Sequence, residues 1–267
     1  MADLDCWRGK WALVTGASSG IGKALAEQLA GGGTHLVLTA RRRGRLMELR
    51  KALRAAHGVR IEVLAADLDQ PEAPDRIFAF TQQKGIAVDV LVNNAGLGSY
   101  GEFVTRDVAR ELGIVRVNCA AVVHLTRLFL PGMVERRAGG ILIVASTGAY
   151  QGVPYMATYA ASKAFDLLFA EALAEEVKRY GVRVCALCPG PTVTEFQMAA
   201  GVPEQMGKGM EESAEEVARV GLRALAAGEH SVISGFTNWL GAEVQRVVPR
   251  RFVTYAAEML FRPPGRS

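Results

Sequence analysis

Cysteine, histidine and net charge are all scarce in this 267-residue chain. The four cysteines are Cys6, Cys119, Cys185 and Cys188. The last two form a CxxC inside the apolar strand-like run VRVCALCPG, where residues three apart face opposite sides of a sheet. That geometry argues against a shared metal or a redox pair and leaves core packing. Reduced, buried cysteines fit a cytoplasmic setting. The histidines, His35, His57, His124 and His230, are scattered and form no ligand cluster. Basic residues exceed acidic ones by only 31 to 27, a net charge of +4, so no polyanion is needed as a partner and nucleic acid is not expected. No apolar run approaches the ~20 residues that cross a bilayer, so no transmembrane segment is expected. The opening MADLDCWRGKWALV lacks a signal-peptide pattern. A linker rich in Pro, Gly or Ser and an internal repeat are also missing, and residues 1–267 read as one domain.

Glycine, in contrast, is abundant, with 29 residues. Short apolar runs alternate with longer periodic ones. KWALVTG, HLVLTAR, VRIEVLAADL, VDVLVNNAG, GGILIVAST and VRVCALCPG read as strands, with a short one in HSVIS. Helical patterns separate them, including a long one from about Arg106 to Glu135 and another up to about Tyr180. The strands are apolar on both faces, as a covered parallel sheet requires. The expected class is therefore α/β: a doubly wound, Rossmann-type parallel sheet of about seven strands in a three-layer α-β-α sandwich. Residues from about 192 to 212 read as a lid or loop beyond the carboxyl ends of the strands, where ligands bind in this topology. The basic, partly amphipathic C-terminal extension from about 236 to 267 leaves three readings open: packing on its own domain, an oligomer contact, or peripheral contact with a membrane surface.

After the first strand comes TGASSGIG. Gly16, Gly20 and Gly22 permit a sharp turn and close approach to a phosphate, and the helix that follows points its N–H groups at negative charge. Gly16, Ser18, Ser19, Gly20, Ile21 and Gly22 are thus nucleotide-binding candidates. The second strand ends in LVLTARRRGR, with no carboxylate to hold a ribose 2′-hydroxyl. Guanidinium groups match a 2′-phosphate, so NADP(H) is favoured over NAD(H), with Arg41 the first candidate and Arg42 the next. Asp67 and the Leu68 amide are candidates for the adenine, and Asn93, Ala95 and Gly96 of NNAG for the adenosine ribose.

Tyr159 and Lys163 stand four apart on a helical pattern and share a face. A phenol beside an ammonium becomes a usable proton donor or acceptor. Ser146 ends the fifth strand, and Asn118 interrupts a helix that asparagine does not favour. Together, TGASSGIG, NNAG, Asn118, Ser146, YAASK and PGPTVT resemble the short-chain dehydrogenase/reductase family in its classical branch, from about Lys10 to Thr194. The resemblance implies an oxidoreductase that moves a hydride between nicotinamide C4 and a carbonyl or secondary alcohol. It implies Tyr159 as acid–base, Lys163 lowering its pKa and binding the nicotinamide ribose, Ser146 positioning the substrate oxygen and Asn118 supporting a proton relay. Pro189, Gly190, Val193 and Thr194 would line the nicotinamide side. Ser146, Tyr150, Met156, Tyr159 and Phe196 are substrate-side candidates, and their apolar members favour an apolar small molecule. A homodimer or homotetramer is implied, through the helices around Val108–Leu130 and Tyr159–Val177. A cofactor-binding sensor or scaffold is the rival expectation.

Overall fold

The computed structural model describes residues 5–203, 206, 209, 211–245 and 247–263. Seven strands, β1 (Trp11–Thr15), β2 (His35–Ala40), β3 (Ile61–Ala65), β4 (Val90–Asn93), β5 (Gly139–Val144), β6 (Val182–Cys188) and β7 (Ser231–Ile233), form one sheet in the order β3-β2-β1-β4-β5-β6-β7. Every pairing is parallel. The helices are α1 (Gly20–Gly31), α2 (Arg43–His57), α3 (Ala73–Gln83), α4 (Val108–Val115), α5 (Ala121–Glu135), α6 (Ala157–Val177), α7 (Phe196–Ala200), α8 (Ala214–Ala227), α9 (Phe236–Val244) and α10 (Arg250–Phe261).

The alternation of strand side chains divides the core in two. Ala12, Val14, Leu36, Leu38, Leu142 and Leu187 pack beneath α1, α2 and α8. Leu13, Val37, Leu91, Ile141, Ile143 and Ala186 pack on the other face, under α3, α5 and α6. Cys185 belongs to the first cluster and Cys188 to the second, so the CxxC is split by the sheet. Local sequence explains where helices stop and start. The Ser213 hydroxyl accepts from the Glu216 amide at 3.1 Å and caps α8, whose end turns through Gly228 at φ +80°.

The long helix expected from Arg106 to Glu135 is interrupted. Between α4 and α5, Arg116–Ala120 form a π-helical turn that contains Asn118. The combined run Val108–Glu135 spans 28 residues and contains an 18-residue window of mean hydropathy 1.4, long and apolar enough to cross a bilayer, which revises the expectation that no such run exists. Here it covers the sheet, burying Ile114, Val117, Leu125, Phe129 and Met133. Of the three readings for the C-terminal extension, the inner faces of α9 and α10 pack on their own domain. Tyr100 Oη donates to Phe261 O at 2.8 Å, and Tyr155 Oη to Glu258 Oε1 at 2.8 Å. Residues 246 and 264–267 of that extension, and 204, 205, 207, 208 and 210 of the expected lid, lie outside the described residues.

Candidate active site

The strand order reverses between β1 and β4, and a crevice opens beyond their carboxyl ends. Thr15 ties the two ends together. Its Oγ1 donates to Val92 O at 3.1 Å and accepts from the amides of Asn94 at 2.9 Å and Ala95 at 3.0 Å. Asn94 Nδ2 donates to Thr15 O at 2.8 Å. This bracket leaves no room for side chains in the adjoining turn. A Cβ on Gly16 would stand 2.7 Å from Asn94 Nδ2, and one on Gly22 only 2.3 Å. Helix α1 then begins at Gly20, and Ser19 at its N-cap makes no side-chain capping bond. Amides uncapped by the chain, at the positive end of a helix, suit a bound phosphate.

A cavity of about 790 Å³ runs along this edge. At one end the turn lines it with Gly16, Ser18, Ser19, Gly20, Ile21 and Gly22. Arg41, Arg42, Asp67 and Leu68 close that end, and Ala95 and Gly96 form its floor. At the other end stand Ser146, Met156, Tyr159, Lys163 and Phe196, with Pro189, Gly190 and Thr194 alongside. The two arginines differ in what they touch. Both line the cavity, but the guanidinium that reaches the turn is that of Arg42. It donates to Ser18 Oγ at 3.0 and 3.2 Å and to Ser19 Oγ at 2.7 Å.

Four nominated residues, Asn93, Asn118, Tyr150 and Val193, do not line the cavity. Asn93 is buried at the end of β4, and its Nδ2 donates to Thr126 Oγ1 on α5 at 3.1 Å. Asn94, one residue on, lines the crevice instead. Tyr150 packs into the second core cluster with its hydroxyl 3.8 Å from Cys188 Sγ. Val193 is exposed and faces a neighbouring groove between α1, α2 and the segment before α7. Asn118 is fully buried and acts as a clamp. Its Oδ1 accepts from Leu97 N at 2.8 Å, and its Nδ2 donates to Leu97 O at 3.0 Å and Ser162 Oγ at 2.8 Å. The π-turn aims it there. A Cβ on Gly96 would sit 3.6 Å from Asn118 Oδ1 and 3.7 Å from Lys163 Nζ, so both groups converge on one spot.

Lys163 is buried on α6. Its Nζ donates to Val144 O at 2.7 Å and to Asp166 Oδ2 at 3.0 Å. Burial alone would push this ammonium's pKa down, but the Asp166 carboxylate and the Tyr159 hydroxyl outweigh it and hold it above its usual value. Burial pushes the Asp166 carboxyl up against the opposing pull of Lys163. Ser146 Oγ accepts from Gly148 N at 3.1 Å, which leaves its O–H able to donate into the cavity. A Cβ on Gly148 would lie 3.5 Å from Ser146 Oγ and 4.0 Å from Tyr159 Cε1, so these two side chains flank a single point. The Phe196 ring lies over the tyrosine, with centroids 5.2 Å apart. The carboxylates Asp166 and Glu195, and Arg110, whose Nη2 bridges Gly98 O at 2.7 Å and Ala199 O at 3.1 Å, were not among the sequence candidates. Among the described residues no cluster of His, Cys, Asp or Glu could hold a metal ion.

The model of the short chain dehydrogenase family matches residues 10–205. The chain belongs to the short-chain dehydrogenase family. It is 37% identical over 199 residues to the very-long-chain 3-oxoacyl-CoA reductase of Bos taurus, covering 73% of this chain and 63% of the relative. It is 38% identical over 180 residues to the enzyme of the same name from Pyricularia oryzae, covering 66% and 54%. The chain thus spans only about half to just under two thirds of the length of these curated relatives. Among solved structures, it resembles a short-chain dehydrogenase from Sphingobium yanoikuyae in complex with NADPH, at 28% identity and TM-score 0.80, covering 97% of this chain and 98% of that one. A 7beta-hydroxysteroid dehydrogenase matches at 26% identity and TM-score 0.86, covering 96% and 99%.

Proposed function

We propose that this short-chain dehydrogenase is an NADP(H)-dependent oxidoreductase that reduces a carbonyl on an apolar, lipid-like substrate. The observation that carries the reading is the single cavity. It joins a phosphate cradle and the Arg42 guanidinium at one end to Ser146, Tyr159 and Lys163 at the other. The cradle fits the cofactor because the glycine turn and the start of α1 line the cavity with no capping side chain at Ser19, and because Arg42, Ser18 and Ser19 supply donors suited to a 2′-phosphate. When bound, the cofactor supplies the hydride at nicotinamide C4.

The chain's own residues handle the oxygen. Ser146 and Tyr159 donate to the carbonyl oxygen as negative charge grows on it. Tyr159 then gives up its proton. Lys163, charged and fixed by Val144 O and Asp166, places positive charge beside that phenol and offers N–H groups to the nicotinamide ribose. Asn118 holds the Leu97 backbone on the far side of the Gly96 gap and keeps an oxygen facing Lys163 across it, a position suited to a proton relay. The reacting end is walled by Val153, Met156, Phe196, Val202 and Leu260, which favours apolar substrates. The names of the curated relatives favour a 3-oxoacyl thioester within that class. Exposed Leu112, Val115, Val123, Phe165 and Leu168 on α4, α5 and α6 support a homo-oligomer built through those helices.

The test is a panel of long-chain 3-oxoacyl thioesters, steroid ketones and short ketones, each with NADPH and NADH, followed by loss of reduced-cofactor absorbance. NADPH should be preferred by at least about tenfold, and apolar carbonyls should turn over best. Equal or better use of NADH, or tight NADPH binding without turnover of any carbonyl, refutes the proposal.

A further inference from the structure

Arg42 is the N-cap residue of α2, and its guanidinium faces two anion sites at once. On the cavity side it carries Ser18 and Ser19, where a 2′-phosphate would bind. Its Nη1, however, donates to Glu195 Oε2 at 2.7 Å. The other oxygen of that carboxylate, Oε1, accepts from Arg45 Nη1 at 2.5 Å. Each oxygen of Glu195 therefore has its own arginine, and both arginines come from the start of the helix after β2. These two guanidinium hydrogen bonds pull the Glu195 carboxyl down to about 2, so it is an anion at any working pH.

Glu195 also heads the flap over the reacting end. It is the N-cap residue of α7, and the next residue, Phe196, lays its ring 5.2 Å from that of Tyr159. The packing is tight, since a Cβ on Gly98 would meet Phe196 Cζ at 2.6 Å. Arg110 pins the far end of the flap through Ala199 O. The helix is thus fastened at its tail by Arg110 and at its head by the Arg42–Glu195–Arg45 bridge.

We propose that Glu195 is a specificity-determining residue that competes with the cofactor's 2′-phosphate for Arg42, so that phosphate capture leaves the flap head held by Arg45 alone. The inference rests on the NADP(H) reading above and adds a coupling between the two ends of the cavity. A dianionic phosphate and a carboxylate cannot both be held at full strength by one guanidinium, because each repels the other across it. NADPH therefore loosens Phe196 over Tyr159. NADH brings no phosphate, leaves Arg42 on Glu195, and leaves the tyrosine covered. The bridge is about half exposed on both sides, so its influence is a matter of severalfold rather than orders of magnitude.

The experiment needs binding alone, not turnover. Kd values for NADPH and NADH are measured by fluorescence titration of the full chain and of Glu195→Gln and Arg45→Met. Glu195→Gln should tighten NADPH by about threefold to fivefold and leave NADH within about twofold. Arg45→Met leaves Glu195 to lean wholly on Arg42 and should weaken NADPH, with NADH again unmoved. Hydrogen exchange of the Phe196–Val202 amides should be faster with NADPH than with NADH in the unaltered chain, and the difference should vanish in Glu195→Gln. Equal gains for both cofactors, no gain for NADPH, or exchange that is the same with both cofactors overturns the proposal while leaving the NADP(H) reading intact. Failure of the unaltered chain to bind NADPH overturns both.

Discussion

Lys163→Met should destabilise the protein far more than it alters packing, because it strands a buried charge. The ion pair is almost wholly buried, with side-chain exposures of 6% for Lys163 and 1% for Asp166. Asp166 Oδ2 rests on the ammonium at 3.0 Å, while its Oδ1 is buried with no hydrogen-bond partner. Removing one member of such a pair costs roughly 3–5 kcal/mol, since the other is left uncompensated. In a domain of this size that is a fall in Tm of the order of 6–20 °C. Replacing both, as Lys163→Met with Asp166→Leu, should recover most of the loss. The sign with pH follows from Asp166. Its folded pKa is already raised by burial, and losing Lys163 removes the only opposing pull. A carboxyl with a raised folded pKa favours folding below its unfolded pKa and loses that contribution as pH rises through the folded value. The Lys163→Met deficit should therefore shrink towards about pH 4 and widen at neutral pH. Urea unfolding followed by tryptophan fluorescence measures it. A single variant as stable as the parent at neutral pH, or a double variant no better than the single, would refute the argument.

Tyr159→Phe should remove nearly all turnover while leaving NADPH affinity within about threefold, because the lost hydroxyl is asked to supply a proton rather than to bind; steady-state kinetics beside a binding titration checks this. Arg42→Met should lower NADPH affinity by about tenfold or more and spare NADH, whereas Arg41→Met should do little, since only the Arg42 guanidinium reaches Ser18 and Ser19; a larger loss with Arg41→Met would restore the sequence-based preference. Gly22→Ala should abolish cofactor binding and destabilise the fold, because its Cβ would stand 2.3 Å from Asn94 Nδ2 and 2.5 Å from Gly16 O; unfolding and titration together test this. Burial pushes the Cys119 thiol up to about 11 and that of Cys188 up to about 12, so iodoacetamide at about pH 8 should modify exposed Cys6 well before either; peptide mapping that finds Cys119 labelled first contradicts the partial burial that raises its thiol.

Which parts of this site could be read beforehand depends on the length scale of the interaction. Strands apolar on both faces, a glycine turn between strand and helix, and a tyrosine four residues before a lysine are local patterns, and all of them appear in the fold as expected. Asn93 and Asn94 differ by one position, and there the pattern runs out. A strand turns successive side chains to opposite faces, so the residue at which β4 ends decides which asparagine meets the crevice. Asn93 pairs in register with Ile143 and shares its buried face, which sends the amide to Thr126. The choice between Arg41 and Arg42 depends in the same way on β2 ending at Ala40. No propensity reports a π-turn, and Asn118 gives only a hint of one by being poorly suited to its helix. Asp166 was within reach, since a carboxylate three residues after Lys163 in an otherwise apolar stretch has to find a cation. Glu195 was not, because its two arginines lie about 150 residues away in sequence. The catalytic spacing is written along one helix, whereas the cofactor selectivity proposed here depends on a contact that exists only once the second and sixth strands lie in the same sheet, which is why Glu195 and not Tyr159 is the residue whose substitution most directly tests the folded arrangement.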